Sequence, residues 1–238
     1  MASIKTPRGR FHYTSMNLYL GIKQIDRIKA FDNLKILIRV LTDAGVSVSP
    51  AFGTLLGIIR ENNFIEWDED IDLFILKEDK EKFLNALWDL KEEGFELIRQ
   101  ERVGHLYSII RNGEYIDFYV MEPVSPEVRT TLGGGFVFEK YLTDLIDWNF
   151  NGLTVKIPRE YEQCLEFMYG DWRTPVQYAN YKMSRWQIMK KQILASLKQR
   201  LPLSMYMFLL KKYHRKDLEK FLEKCEKKSI KLQFSIRW

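Results

Sequence analysis

The run Trp67-Asp68-Glu69-Asp70-Ile71-Asp72-Leu73 sets three aspartates at alternate positions among apolar residues that include Phe64, Ile65 and Phe74. On a strand, alternate side chains share a face, so Asp68, Asp70 and Asp72 are expected to project together. Crowded carboxylates repel, and each raises the pKa of its neighbours until a cation neutralises them. Oxygen-only ligands suit Mg²⁺ or Mn²⁺ better than zinc. Mg²⁺ typically takes one or two carboxylates and leaves its other positions to water and phosphate oxygens. A bare Asp-x-Asp also fits an exposed acidic strand face, but the apolar setting argues against that reading here.

Other residues point the same way. Gly53-Thr54 lies at an expected strand-to-helix turn, where backbone N–H groups can hold a phosphate. Asp117 sits between Ile116 and Phe118. A carboxylate in so apolar a strand is costly unless it faces a functional cleft, the alternative being a solvated sheet face. Arg60 either pairs with a phosphate or makes a structural salt bridge. His105 either reaches a phosphate or serves as an ordinary turn histidine. Trp172, Tyr178, Tyr181 and Trp186 either stack a base or pack the tail onto the domain.

The elements that must position these residues are legible in outline. Ile22, Ile25, Ile28, Phe31, Leu34, Ile38 and Leu41 recur at helical spacing up to Gly45. Residues 46–52 read as a short strand, 54–62 as a short helix, 70–76 as a strand and 79–90 as a helix. Strands are expected over 95–100, 106–111 and 114–121. Asn112-Gly113 between the last two is the strongest short-range hairpin signal. Asn151-Gly152 repeats the pattern between 147–150 and 153–157. Pro158 is expected to open a helix that Gly170 closes. Helical patterning resumes at Ser184. The expected class is α+β (mixed α/β), with a catalytic unit over residues 1–181 and a basic helical appendage over 182–238.

Charge is divided along the chain. Residues 182–238 hold 16 Lys/Arg against 4 Asp/Glu, a balance of +12, while the remainder holds 21 basic and 28 acidic groups, a balance of −7. Such a segment faces an anionic membrane or nucleic acid, or else forms a solvated helical face. Ile188, Leu194, Leu197, Leu201, Met205 and Phe208 interleave its cations, which suggests amphipathic helices at a membrane interface, the alternative being helices packed on the catalytic unit with only lysines exposed; nucleic acid is not the expected partner. With 46% apolar residues the chain can bury a core. The apolar stretch at 201–210 is too short to span a bilayer, and no signal-type run follows the N-terminus. Cys164 and Cys225 form no CxxC pair, so a disulfide framework or structural zinc is not expected, and a reducing cytoplasmic setting is.

Phe52-Gly53-Thr54-Leu55-Leu56-Gly57-Ile58-Ile59-Arg60, followed by Ile65-Glu66-Trp67-Asp68-Glu69-Asp70-Ile71-Asp72, resembles the motif pair of the LicD family. That family includes bacterial phosphocholine transferases and is related to fukutin and the fukutin-related protein. Glu66 and Glu69 depart from the usual proline and aspartate, and neither change breaks the spaced acids. A second block, residues 150–158 followed by Tyr161, Leu165 and Tyr169-Gly170-Asp171-Trp172, extends the likeness to roughly residues 25–180. The resemblance implies a nucleotidyltransferase-like core of a short mixed sheet flanked by helices. By position, Asp70, Asp72 and Asp117 match the metal-binding acids, Gly53 and Thr54 the phosphate turn, and Arg60 and Asp68 family substrate-site residues.

The implied activity is Mg²⁺-dependent transfer of phosphocholine, or of ribitol or glycerol phosphate, from a CDP-linked donor. The acceptor is a hydroxyl of a cell-surface glycan (capsule, lipopolysaccharide or teichoic-type), often lipid-linked at the cytosolic membrane face, and CMP leaves. Asp117 serves as metal ligand or as proton acceptor. The alternatives are a nucleotidyltransferase that releases pyrophosphate, and a non-catalytic protein that binds membrane or nucleic acid through the tail.

Overall fold

A computed structural model describes residues 2–16, 18, 23–132, 135–175, 186, 189–190, 193–194, 197 and 200–233. A hairpin of β1 (Ala2–Thr6) and β2 (Gly9–Tyr13) precedes α1 (Arg27–Asp43), β3 (Val48–Pro50), α2 (Phe52–Glu61) and β4 (Ile71–Leu76). Then come α3 (Lys80–Glu92), β5 (Glu96–Gln100), β6 (Leu106–Arg111), β7 (Glu114–Ser125), β8 (Val128–Thr131) and β9 (Gly135–Phe138). The chain continues through α4 (Lys140–Thr143), β10 (Leu145–Phe150), β11 (Leu153–Pro158), α5 (Tyr161–Tyr169) and α6 (Leu203–Lys227). It is an α+β protein.

The main sheet has the order β3-β4-β7-β6-β5, and the far end of β7 pairs with β8, which pairs with β9. β4 and β7 are parallel, and the other pairs are antiparallel. β7 is therefore central, and Glu114 to Phe118 are all buried. Its inward residues meet α3, where the Phe83 ring lies 4.6 Å from Phe118 and 5.5 Å from Tyr107. Full burial of each such side chain contributes about 1.5–3 kcal/mol.

Polar clamps fix the helices on this sheet. Asn33 of α1 donates to the Arg111 carbonyl at 2.7 Å, and Arg111 donates back to the Asn33 side chain at 2.9 Å and to the Glu93 carbonyl at 2.8 Å. The partners in that part-buried network are hydrogen-bonded to one another, which is the condition for it to add stability. Asp26 caps α1 through the Ile28 and Lys29 amides. Glu114, buried at the start of β7, pairs with Lys23 and accepts the Asp26 amide, which holds the approach to α1.

One expectation changes in detail. Pro158 ends β11, and α5 begins at Tyr161, because an edge-strand position spares the missing N–H. β1–β2 and β8–β9 are short ribbons that the sequence reading did not mark. Ile22, Ile188, Tyr178 and Tyr181 lie outside the described residues.

Gly57 has a packing reason. A Cβ there would stand 2.6 Å from the Asn63 carbonyl oxygen and 3.0 Å from the Ile65 amide, both backbone atoms that cannot rotate away. Gly57→Ala should therefore destabilise the protein by about 1–3 kcal/mol, the usual cost of overpacking. A denaturant melt checks this, and an unchanged midpoint would contradict the contact.

Candidate active site

The sheet sets four polar side chains in one lateral row. Asp72 of β4 lies opposite Asp117 of β7, Asp117 opposite Ser108 of β6, and Ser108 opposite Arg99 of β5. Alternation in β4 sends Ile71 and Leu73 into the core, which leaves Asp72 on the other face. One carboxylate oxygen from each of Asp70, Asp72 and Asp117 lies within 4.8 Å of the others.

Burial and mutual repulsion dominate the electrostatics. Asp70 is pushed up to about 7 by burial, then by the charges of Asp117, Asp68 and Glu69. Asp72 is held well above the carboxylate range by burial and by Asp70, Asp117 and Asp68. Burial also raises Asp117, opposed by Arg99 and Ser108. Arg99 is the one cation inserted into the row. Its Nε donates to Ser108 Oγ at 2.8 Å, and its Nη2 donates to Asp117 Oδ2. Asp72 Oδ1 and Asp117 Oδ1 are buried with no hydrogen-bond partner among the described residues. Unpaired anionic oxygens so placed are costly without a counter-charge, and an all-carboxylate donor set matches a hard divalent ion such as Mg²⁺. The residues fit that ion.

The β3–α2 joint positions Asp72 through its backbone. The Ala51 amide donates to the Asp72 carbonyl, and the Asp72 amide donates to Thr54 Oγ1, both at 2.9 Å. Thr54 is buried, and its hydroxyl is turned to the strand rather than to open space. Phe52 adopts φ +43°, a conformation disfavoured for an aromatic residue. Its ring packs edge-on against Phe74 at 5.1 Å and Tyr119 at 5.2 Å. A Cβ at Gly53 would stand 2.6 Å from Asp68 Oδ2, so a larger residue there would displace the Asp68 carboxylate.

Asp68 lies in the loop before β4, outside the three-carboxylate cluster, at a pKa pushed up to about 6 by burial and by Glu61 and Glu69. Arg60 opposes that shift, while donating to the Trp172 carbonyl at 3.2 Å and to Glu61 at 2.6 Å. His105 is buried just before β6, and its nearest charged neighbours include Glu101, Glu122 and Lys80 rather than the three acids. Trp172 is buried, and Trp186 is exposed.

Sequence reasoning missed Arg99, Ser108, Tyr115, Tyr119 and Tyr169. The Tyr115 hydroxyl favours the Asp70 anion, and that of Tyr119 favours Asp72. The Tyr169 hydroxyl is raised by burial and by Asp72 and Asp68, while 42% of the residue's surface stays open to solvent. Ser108 was readable: counting outward from the two-residue turn pairs it with Asp117. Arg99 was not, because a register shift interrupts β5 between Leu97 and Arg99.

Residues 45–160 match the LicD/FKTN/FKRP nucleotidyltransferase domain. The chain carries a LicD-family domain. Asp68, Asp70, Asp72, Asp117, Arg99 and Ser108 all fall inside the matched segment, whereas Tyr169 and α6 lie beyond it. No curated protein matches the chain. Similar solved structures include the lincosamide antibiotic adenylyltransferase LnuA bound to lincomycin, at 11% identity and TM-score 0.41, covering 69% of this chain and 96% of that one. The antibiotic-resistance factor ANT(2'')-Ia is also similar, at 14% identity and TM-score 0.44, covering 79% of this chain and 99% of that one.

Two outcomes follow for this LicD domain. Because the folded pKa of Asp70 is raised to about 7, the native state binds its proton more tightly than the unfolded chain. Without metal, this group's contribution to stability is greatest at low pH and is lost as pH rises from about 4 through about 7. Thermal melts in chelator should show a decline between about pH 5 and pH 8 that is smaller in Asp70→Asn. Mg²⁺ should raise the melting temperature at the upper pH and much less at the lower. Equal metal stabilisation at both would contradict the site. Arg99→Gln should raise the Mg²⁺ concentration for half-maximal stabilisation by about 10–100-fold, as for other groups that orient a ligand, with partial recovery in Arg99→Lys.

Proposed function

We propose that this chain moves a phosphate-bearing alcohol, phosphocholine or a polyol phosphate such as ribitol or glycerol phosphate, from a CDP-linked donor to a hydroxyl of a cell-surface glycan, with release of CMP. The family is one of transferases, and the observation that carries the finer reading is the cluster of half-buried Asp70 and Asp72 with buried Asp117 within the LicD segment. Such a cluster is suited to a reaction in which charge grows on phosphoryl oxygens.

Asp70, Asp72 and Asp117 would hold Mg²⁺, which when bound supplies neutralisation of the donor diphosphate and of the departing CMP. Arg99 favours the Asp117 anion against the opposing effect of burial and occupies one of its oxygens, leaving Oδ1 as the ligand atom. The bare Gly53 lets backbone and Asp68 approach closely at the mouth of α2. Arg60, tied to Trp172 and Glu61, braces that mouth and offsets the charge of Asp68. The exposed ring of Tyr169, with its hydroxyl near Asp68 and Asp72, offers a surface on which a cytosine ring stacks.

A second reading is a nucleotidyltransferase that attacks a nucleoside triphosphate, favoured by the description of the matching domain. The discriminating assay incubates the full chain with Mg²⁺ and CDP-choline, CDP-ribitol, CDP-glycerol or nucleoside triphosphates. Donor-dependent CMP supports the phosphotransferase; pyrophosphate from a triphosphate supports the second reading. Asp70→Asn and Asp72→Asn should each abolish turnover with the fold intact, and Asp117→Asn should lower it about 100-fold or more. Full activity in the Asp70 and Asp72 variants would remove the assigned site.

A further inference from the structure

Residues 182–216 contain ten Lys/Arg and no Asp/Glu, and the tail's four acids, Asp217, Glu219, Glu223 and Glu226, all follow this stretch. The same stretch exposes large apolar side chains: Trp186 is 64% exposed, Leu197 54% and Phe208 68%, with Met189, Ile193, Leu194, Leu203 and Met205 also exposed. Positions 186, 189, 190, 193, 194, 197 and 200 are helical, and steps of three and four residues put them on one face. Lys190 lies over the Trp186 ring at 5.5 Å.

The catalytic unit does not use that face. It packs instead on α6, the helix that follows, where His214, Phe221 and Cys225 are buried and the His214 ring lies 4.6 Å from Phe136. Arg102 donates to the Leu201 carbonyl at 2.6 Å and Tyr206 donates to Glu101 at 3.1 Å, which pins the turn that leads into α6.

Three kinds of partner compete for such a surface. A second copy joined about a two-fold axis would set ten cations against ten, with no acid within the stretch to relieve them. Nucleic acid would use the cations and stack on aromatic rings, and would leave Ile193, Leu194, Leu197 and Met205 without a role. An anionic bilayer uses both halves: aliphatic side chains enter the headgroup boundary, tryptophan sits at its level, and lysines meet lipid phosphates. We propose that Trp186, Met189, Ile193, Leu194, Leu197 and Phe208 form a face that docks this protein reversibly on an anionic phospholipid surface. The proposal concerns location and does not depend on which group the active site transfers.

Among the described residues no helix is long and apolar enough to cross a membrane, so the contact is interfacial. The test is flotation of the full chain with vesicles of phosphatidylcholine alone or mixed with phosphatidylglycerol. Binding should require phosphatidylglycerol and weaken with salt. Leu194→Ser/Leu197→Ser/Phe208→Ser should lose most of the binding and, since all three are exposed, keep the parent melting temperature. Lys211→Gln and Lys212→Gln, which leave the apolar face intact, should each weaken binding about fivefold. Absence of binding at low salt, full binding by the triple serine variant, or a dimer by light scattering that the triple variant abolishes would each overturn the proposal.

Discussion

β4 and β7 run side by side in parallel, and their register brings Asp72 against Asp117, with Asp70 one step along. That crowding of buried negative charge is the constraint to which the surrounding structure answers. Arg99 reaches across from β5 to neutralise one carboxylate, and Ser108 steadies the guanidinium on the way. Tyr115 and Tyr119 bring hydroxyls to the other two acids. These groups fall short of balancing the cluster, since two carboxylate oxygens stay buried without partners among the described residues. A deficit of that kind suits the site to a cation. It also means that the metal-free protein carries stored repulsion, a common trade of stability for activity.

The opposite face of the same strands bears the compensating stability. Phe83, Phe118 and Tyr107 pack there, and the Asn33–Arg111–Glu93 network locks α1 to the hairpin turn. The two faces of one sheet thus divide the labour between cohesion and chemistry. Even the strained backbone at Phe52 is held by packing, because its ring is wedged between Phe74 and Tyr119.

Much of this was legible in the amino-acid order, and where it was not there are physical reasons. The Asp70–Asp72 alternation and the Asn112-Gly113 turn each encode a local rule, so the face shared by the acids and the hairpin beside them could be read directly. Asp68 obeys the same spacing yet stays outside the cluster, because the strand starts only at Ile71, next to Asp70 and three residues beyond Asp68. Arg99 depends on an irregularity in β5 that no pattern announces. The β1–β2 and β8–β9 ribbons are too short for periodicity to rise above chance. Tyr169 reaches the acids from α5, by a tertiary route that no spacing in sequence records.

β7 runs from Glu114 to Ser125, with its one shift of register against β8 between Pro123 and Ser125, and this has a consequence for how such a chain can change over time. Its first residues carry Asp117, and its last pair with β8, which holds β9 and through it the seat of α6. Side chains alternate, so losing one residue between Glu114 and Asp117 would turn Ile116 or Phe118 towards the acids and drive a carboxylate against Phe83. The same slip would be passed to the far end of the strand. Residue count along β7 is therefore as tightly held as residue identity, whereas a turn such as residues 7–8 is free to lengthen. Divergence in this lineage is expected to proceed by substitution within the strand and by insertion only at its margins.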